Sequence, residues 1–251
     1  MKLAKNILHL VHHRSKKRIR DFGEVFTPEK YVNQMLDMLD KSIWTDTNVV
    51  FFEQTCGHGN FVEAIVERRL NAFLRRAKRQ KDNNPHFYAV ANTLNNLWAI
   101  DIDSKNIEFC RNRIRSLVFN FLWEYKKNIL SSESFIKNNR DFLTHILCCI
   151  EWQIHENEAL SCLEMDTFKA KEAASKTAIS KKWFKKNKHR PLNFEMSWCQ
   201  YFKSRRKENV IPIEYTRSFA LINSLIDKRK QGTIKNFSVL DDFNIELSIA
   251  V

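Results

Sequence analysis

The stretch from Phe51 to Val62, FFEQTCGHGNFV, constrains the fold more than any other part of this 251-residue chain, because it holds two of only four glycines. The apolar run from Val49 to Phe52 predicts a buried strand, and apolar residues at helical spacing predict a helix from about residue 60 to 80. A Gly-x-Gly turn between such elements lets a ligand approach the backbone at the N-terminus of the helix. The same glycines could also serve a tight turn in any α/β domain.

The neighbouring segments predict a βαβα succession. Pro28, with Thr27 before it as a cap, predicts the start of a helix ahead of the first strand. A second apolar strand, Leu97 to Ile100, leads into Asp101, and a further helical pattern follows. Such a succession favours a parallel sheet wrapped by helices, with the ligand beyond the carboxyl ends of the strands.

The acidic residues at these strand ends narrow the class of ligand. Asp101 stands where an acid would bind the hydroxyls of a sugar. It lies farther from Gly59 than a dinucleotide motif requires, and no third glycine completes that motif, which disfavours a nicotinamide or flavin cofactor. Glu53 would repel a pyrophosphate but could accept a hydrogen bond from an ammonium group.

Charge and composition bound the partners. The formal net charge of +13 favours polyanions, with nucleic acid first and an acidic membrane surface second. No apolar stretch approaches the roughly 20 residues of a membrane span, and no signal peptide is evident, so a soluble, cytoplasmic protein is expected. The six cysteines lack a CxxC pair, which predicts reduced thiols and no metal.

Four ordered motifs resemble those of the adenine-N6 DNA methyltransferases of type I and type IIG restriction-modification systems. Residues Phe22 to Pro28, FGEVFTP, resemble the N-terminal motif of that family. Glu53 to Phe61 are similar to its acid-Pro-x-Cys-Gly-x-Gly-x-Phe motif, with Gln54 replacing the proline. The next two motifs are matched by Leu97 to Arg113 and by Trp152 to Leu160, with Ala99 and Glu158 as departures.

The resemblance implies a class I methyltransferase fold, which is Rossmann-like with a parallel-rich sheet flanked by helices, and S-adenosylmethionine as cofactor. It implies that Thr27 contacts the methionine carboxylate and that Glu53, Gly57 and Gly59 line the methionine end. It further implies that Asp101 binds the ribose, Ile102 packs on the adenine ring, and Glu158 accepts from the adenine amino group. Each residue also has a structural reading, such as a helix cap, a core position or an ordinary loop acid.

The catalytic motif of that family, Asn/Asp-Pro-Pro-Tyr/Phe, is not found downstream of Leu160. The four prolines are Pro28, Pro85, Pro191 and Pro212, and none is adjacent to another. A weak candidate for the catalytic residue is Asn84, in Asn-Pro-His-Phe, but the order of motifs in the family would place it later in the chain. A polar Asn-Pro stretch is also a common turn.

The segment after Asp166 is rich in lysine around two aromatic residues. Basic side chains can neutralise phosphates, and an interleaved aromatic can stack on a base. A solvated or disordered insertion would show the same composition, so both interpretations stay open. The nucleic-acid-binding candidates are Lys181, Lys182, Trp183, Lys185, Lys186 and Arg190.

The predicted organisation is a basic segment over 1–21, a cofactor-binding core over 22–165, a basic insertion or loop over 166–195, and the remainder of the core over 196–251. The leading hypothesis is a DNA adenine-N6 methyltransferase with a catalytic loop that is degenerate or supplied by a protein partner. Alternatives are a catalytically silent subunit that binds cofactor or DNA, and a decayed relative serving as a basic interaction module. The resemblance implies a bacterial or phage-infected cell.

Overall fold

The computed structural model describes residues 27–187 and 189–231. Within them a single parallel sheet contains β1 (Phe51–Glu53), β2 (Leu97–Asp101) and β3 (Ile154–Glu156), in that spatial order. Phe51 lies opposite Leu97 in the first pair of strands, and Ala99 lies opposite Ile154 in the second. The prediction of an α/β fold with a parallel sheet is confirmed at this level.

Helices make up most of the described chain. They are α1 (Glu29–Asp37), α2 (Asn60–Arg79), α3 (Pro85–Asn95), α4 (Ser104–Lys126), α5 (Ser132–Asn138), α6 (Arg140–Gln153), α7 (Thr167–Ala174), α8 (Ala178–Lys186), α9 (Trp198–Lys207) and α10 (Ile213–Lys230). A short 3₁₀ helix, Lys41–Thr45, precedes β1.

Successive strands are direct neighbours, which places both crossovers on the same face of the sheet, since such connections are right-handed. Helices α2 and α3 belong to the first crossover, and α4, α5 and α6 belong to the second. They enclose the main core, in which Phe73, Phe119 and Ile150 are almost completely buried.

The second face of the sheet is covered by the segment from 159 to 194. Trp98 and Ile100 of β2 project to this side and are buried with Cys162 and Leu192. The backbone amide of Leu192 donates to the carbonyl of Cys162 at 2.7 Å, and this bond joins the beginning of the segment to its end. The insertion or loop predicted over 166–195 contains α7, α8 and a returning stretch. Leu192 of this segment is buried against the apolar side chains of β2 on this face.

The region after residue 196 joins the main core as helices. Trp198 of α9 is fully buried, and Ile222 and Leu225 of α10 pack into the same cluster. The strands predicted near 239 and 245–251 lie outside the described residues, as do the N-terminal segment 1–21 and the motif residues 22–26.

Element boundaries differ from the predictions by one or two residues. Helix α1 begins at Glu29 with Pro28 at the preceding cap position, and no side chain caps it, so Thr27 is not the predicted cap. The first strand occupies 51–53 rather than 49–52. Helix α2 ends at Arg79, close to the predicted end, whereas α3 was not predicted at all.

Candidate functional site

The glycine turn connects the carboxyl ends of β1 and β2. The amide of Gly57 donates to Oδ2 of Asp101 at 2.9 Å, and the amide of Cys56 donates to the carbonyl of Ile100 at 2.8 Å. The amide of Gly59 donates back to the carbonyl of Cys56 at 2.7 Å. These bonds fix the turn between β1 and α2 against the acid that ends β2.

The two glycines of the turn are required for different reasons. Both have positive φ, +50° at Gly57 and +86° at Gly59, where side chains are disfavoured. A Cβ at Gly59 would lie 2.7 Å from Sγ of Cys110, so α4 packs directly against this glycine. Among the described residues, a Cβ at Gly57 would meet nothing within 4 Å. Within that part of the chain the turn therefore has one side closed by α4 and one open side.

Two carboxylates, those of Glu53 and Asp101, lie at the strand ends beside this turn. Asp101 is 8% exposed and also accepts hydrogen bonds from the amide of Asp103 at 2.8 Å and from Nδ2 of Asn106 at 3.1 Å. Burial raises the pKa of Glu53, and the charge of Asp101 raises it further. Within residues 27–187 and 189–231, neither carboxylate has an ion-pair partner. A cation at this position would therefore relieve their repulsion.

Arg113 of α4 holds the turn from the other side. Its guanidinium donates to the carbonyl of His58 at 3.1 Å and to Oδ1 of Asn60 at 2.6 Å, and it forms an ion pair with Glu63. Sequence reasoning missed Arg113, because it follows the turn by more than fifty residues and belongs to an ordinary helical pattern. Only the packing of α4 against α2 brings it to the turn.

Asn60 also links the turn to the predicted N-terminal motif. Its Nδ2 donates to the carbonyl of Thr27 at 3.0 Å. Thr27 is thus linked through Asn60 to the glycine turn, which in turn donates to Asp101. Ile102 is half-buried and directly follows β2. Their binding roles stay predictions.

Glu158 has a different environment from the other predicted ligands. It is 2% exposed, and its oxygens accept from the amides of Leu160 and Ser161 at 2.9 and 2.8 Å. The hydroxyls of Ser161 and Ser180 donate to the same carboxylate, each at 2.7 Å. Four bonds fill the usual acceptor capacity of a carboxylate, so Glu158 holds α8 to the end of β3 in this arrangement. Its proposed contact with adenine stays a prediction without geometric support.

Asn84, the weak catalytic candidate, lies far from the glycine turn. It precedes α3, and the ring of His86 in that helix stacks on the ring of Tyr125, with centroids 3.8 Å apart. Tyr125 is near the end of α4, a helix whose first residue, Ser104, follows shortly after Asp101. At 1.5 Å per residue, α4 rises about 22 Å from Cys110, which packs against Gly59, to Tyr125. The catalytic role of Asn84 stays a prediction without geometric support.

The predicted nucleic-acid-binding residues divide into two groups. Four lysines lie on the outward face of α8, namely Lys181, Lys182, Lys185 and Lys186, and all are exposed. Trp183 is half-buried, and its Nε1 donates to Oε1 of Glu156 at 2.8 Å, so its indole fastens α8 to β3. The guanidinium of Arg190 lies 4.9 Å from the ring of Trp152.

The two edges of the sheet differ. Arg111 donates from Nε to the carbonyl of Ile154 at 2.7 Å and covers the outer edge of β3. In the described part of the chain, β1 forms the other edge and pairs only with β2. In doubly wound sheets the ligand crevice lies where the strand order reverses, beyond the first strand. That reversal does not occur among the described strands. Within them, the glycine turn is bordered by a neighbouring strand only on the side of β2.

Among the described residues, no group of three or more His, Cys, Asp and Glu side chains is placed to hold a metal ion. None of the described helices has the length and apolar character needed to cross a membrane. No protein-family model, curated protein or solved structure matches the chain. Function therefore has to be inferred from the residues and their geometry.

Proposed function

We propose that the chain binds S-adenosylmethionine at the glycine turn, as the cofactor-binding part of a DNA adenine-N6 methyltransferase-like system. The observation that carries this proposal is the Gly57 to Asp101 hydrogen bond beside Glu53, a half-buried carboxylate without a cationic partner among the described residues. A ligand that combines an ammonium group with ribose hydroxyls suits this pair of acids.

Each part of the cofactor has a matching group in the chain. The ammonium group would pair with Glu53, and the adjacent open side at Gly57 leaves room for the methionine chain. The methionine carboxylate would lie toward Thr27 and the N-terminus of α2, where backbone amides favour an anion. Asp101 already accepts three hydrogen bonds, which leaves about one acceptor site for a ribose hydroxyl.

Methyl transfer would require groups beyond those described. The cofactor supplies an electrophilic methyl group, and the reaction needs an amide or acid that holds the adenine amine in line with it. The described chain has no Asn-Pro-Pro-Tyr/Phe tetrad, and Asn84 precedes a helix that contacts α4 about 22 Å from Cys110, the residue that packs on Gly59. In the described part of the chain β1 pairs only with β2, and its other edge is the position where a second half of a doubly wound sheet would add its first strand. We therefore favour a subunit that depends on a partner over a complete enzyme.

Calorimetric titration of S-adenosylmethionine tests the binding step. Glu53→Gln removes one charge with almost no change in shape, and Glu172→Gln on the exposed face of α7 is the matched control. A hydrogen bond to a charged group contributes about 1.5–3 kcal/mol, so Glu53→Gln should weaken binding by at least about tenfold. Equal affinity of the two variants, or no binding by the wild-type chain, would refute the site.

The same titration has an expected pH dependence. Because the pKa of Glu53 is raised, its carboxylate becomes protonated at a higher pH than an exposed glutamate. Affinity should therefore decline as the pH falls toward that raised pKa, and Glu53→Gln should lack this decline. Because its pKa is raised in the folded state, ionised Glu53 lowers the free energy of unfolding at pH values above the raised pKa. Below the ordinary pKa of glutamate the residue is protonated in both states, and this destabilisation is absent. The variant should accordingly be slightly more stable than wild type at neutral pH.

Transfer of labelled methyl to adenine-containing duplex, measured on the same preparation, separates the two functional alternatives. Binding without transfer is the expected result for a subunit that depends on a partner. Transfer by the chain alone would establish a complete enzyme whose catalytic loop lies outside the geometry described above.

A further inference from the structure

The segment that covers the second face of the sheet, together with the following residues through α9, holds most of the net charge. Residues 166–207 contain thirteen Lys and Arg against three Asp and Glu, which gives +10, compared with +13 for the whole chain. Leu192 is buried against the second face of the sheet, and Trp198 of α9 is buried in the main core. The basic side chains of this region, such as Lys182, Lys203 and Lys207, are exposed, so its surface is strongly basic.

A groove of about 750 Å³ lies in this surface between α9 and residues 193–196. The wall formed by α9 presents Gln200, Lys203, Ser204 and Lys207, which share one helix face at spacings of three and four residues. The opposite face of α9 carries Trp198, which is fully buried in the main core. Packing of the aromatic face against the core thus fixes the polar and cationic face toward the groove.

The charges that line the groove are not balanced. Lys203, Arg206 and Lys207 line it together with a single acid, Glu195. In the described part of the chain these three cations have no ion pair, whereas the neighbouring Arg205 pairs with Glu208 at 2.5 Å. An unbalanced cationic groove of this kind attracts a phosphodiester backbone.

A stack of side chains connects this groove to Arg190. The ring of Trp152 stacks on Tyr201 of α9, with centroids 4.3 Å apart and an angle of 15° between the planes. Arg190 lies over the same ring of Trp152, and Nε1 of Trp152 donates to the carbonyl of Met196 at 2.9 Å, at the groove. Arg190 therefore extends the cationic surface from the groove toward the end of α8.

We propose that this groove binds a single strand of nucleic acid through its phosphates. The contacts would come from Lys203, Arg206, Lys207 and Arg190, while Gln200 and Ser204 add hydrogen-bonding groups. The volume is that of a small-molecule cleft, which leaves room for part of a single strand. Binding should depend little on base sequence, because the charged groups address the backbone.

Fluorescence anisotropy of a labelled single-stranded oligonucleotide tests the groove. The groove variant is Lys203→Gln with Arg206→Gln and Lys207→Gln. The control, Arg75→Gln with Lys78→Gln and Arg79→Gln, removes the same charge from exposed positions at the end of α2. Three lost phosphate contacts should weaken binding about a hundredfold at roughly 0.1 M salt and reduce the salt slope by about 2. The control should retain affinity close to that of wild type.

A second variant compares the groove with the lysine face of α8, through Lys181→Gln, Lys182→Gln, Lys185→Gln and Lys186→Gln. The proposal predicts a smaller loss for this variant than for the groove variant, although it removes one more charge. It is overturned if the groove variant matches the control, or if only the α8 variant loses binding. The proposal would also be overturned if the groove variant lost as much affinity for duplex DNA and for anionic phospholipid vesicles as for the single strand. Such equal losses would indicate a basic surface without a preferred ligand.

The titration is carried out without S-adenosylmethionine. Its outcome is therefore independent of the cofactor site, and failure of cofactor binding would leave the groove result unchanged.

Discussion

The carboxyl ends of β1 and β3 both present a glutamate predicted to contact the cofactor, yet their environments are opposite. At the end of β1, Glu53 is half-buried beside an open glycine turn and has no cationic partner among the described residues. At the end of β3, Glu158 is buried and accepts four hydrogen bonds from its own loop and from α8. One carboxylate is available to a ligand, and the other completes the fold.

The difference follows from what covers each strand end. The segment 159–194 covers the second face and returns past β3, so the polar groups there find partners within the chain. Near β1 no such segment is described, and the glycine turn keeps one open side. Similar acids in similar motifs can therefore differ in role, because the availability of a carboxylate depends on its neighbours in three dimensions.

The largest expected effect distinguishes the closed and open sides of the glycine turn. Gly59→Ala combines positive φ with a Cβ 2.7 Å from Sγ of Cys110, so it should lower the free energy of unfolding by about 4 kcal/mol. Gly57→Ala meets only the unfavourable φ and should cost about 1–2 kcal/mol. Urea denaturation measures both. Adding Cys110→Ala should recover part of the loss at Gly59 and none at Gly57, and equal costs for the two glycines would contradict the asymmetry.

A somewhat smaller effect is expected at the closed end of β3. Glu158→Gln places an amide NH₂ against a backbone amide of Leu160 or Ser161 in either orientation, which should cost about 3 kcal/mol of unfolding free energy. Calorimetric affinity for S-adenosylmethionine should stay at the wild-type value in the folded variant. A stable Glu158→Gln protein that loses cofactor affinity would reverse the comparison and make Glu158 a ligand.

The smallest effect concerns pH and the buried His155 of β3. Burial, reinforced by Arg190 and Arg111, lowers the pKa of His155 to about 4, against a smaller opposing contribution from the backbone of Trp152. The unfolded chain binds this proton at higher pH, so wild type should lose about 2 kcal/mol of stability between pH 7 and pH 5. His155→Phe should remove that part of the pH dependence in urea denaturation. Identical pH profiles would show that His155 becomes protonated without unfolding the covered face.

Local pattern was sufficient for part of the fold. Helix α2, the strand that ends at Asp101 and the glycine turn were predicted, because apolar periodicity and glycine placement are properties of short segments. Helix α3 and the cover formed by 159–194 were not predicted. The cover has the composition of a solvated basic stretch. Its role depends on a few apolar residues, such as Leu192, which pack against the second face of the sheet.

The candidate site divides in the same way. Glu53 and Asp101 both lie at the carboxyl ends of parallel strands, which meet at one edge of the sheet. Thr27 precedes α1 and is linked to the turn through Asn60. Arg113, Asn60 and Asn106 complete the turn but have no local signature, because hydrogen bonds between distant segments leave no periodic pattern. The candidate Asn84 stays a prediction without geometric support, since sequence composition does not reveal a separation that is set by the length of α4.

The sequence by itself determined the parallel α/β arrangement, the glycine turn and the strongly basic character of the chain. Only the tertiary structure decided which acids stay available among the described residues, that the segment 159–194 covers the second face of the sheet, and that α9 forms one wall of a cationic groove. The physical reason is that strand and helix patterns are encoded over a few residues, whereas burial and hydrogen-bond saturation depend on contacts between segments far apart in the chain.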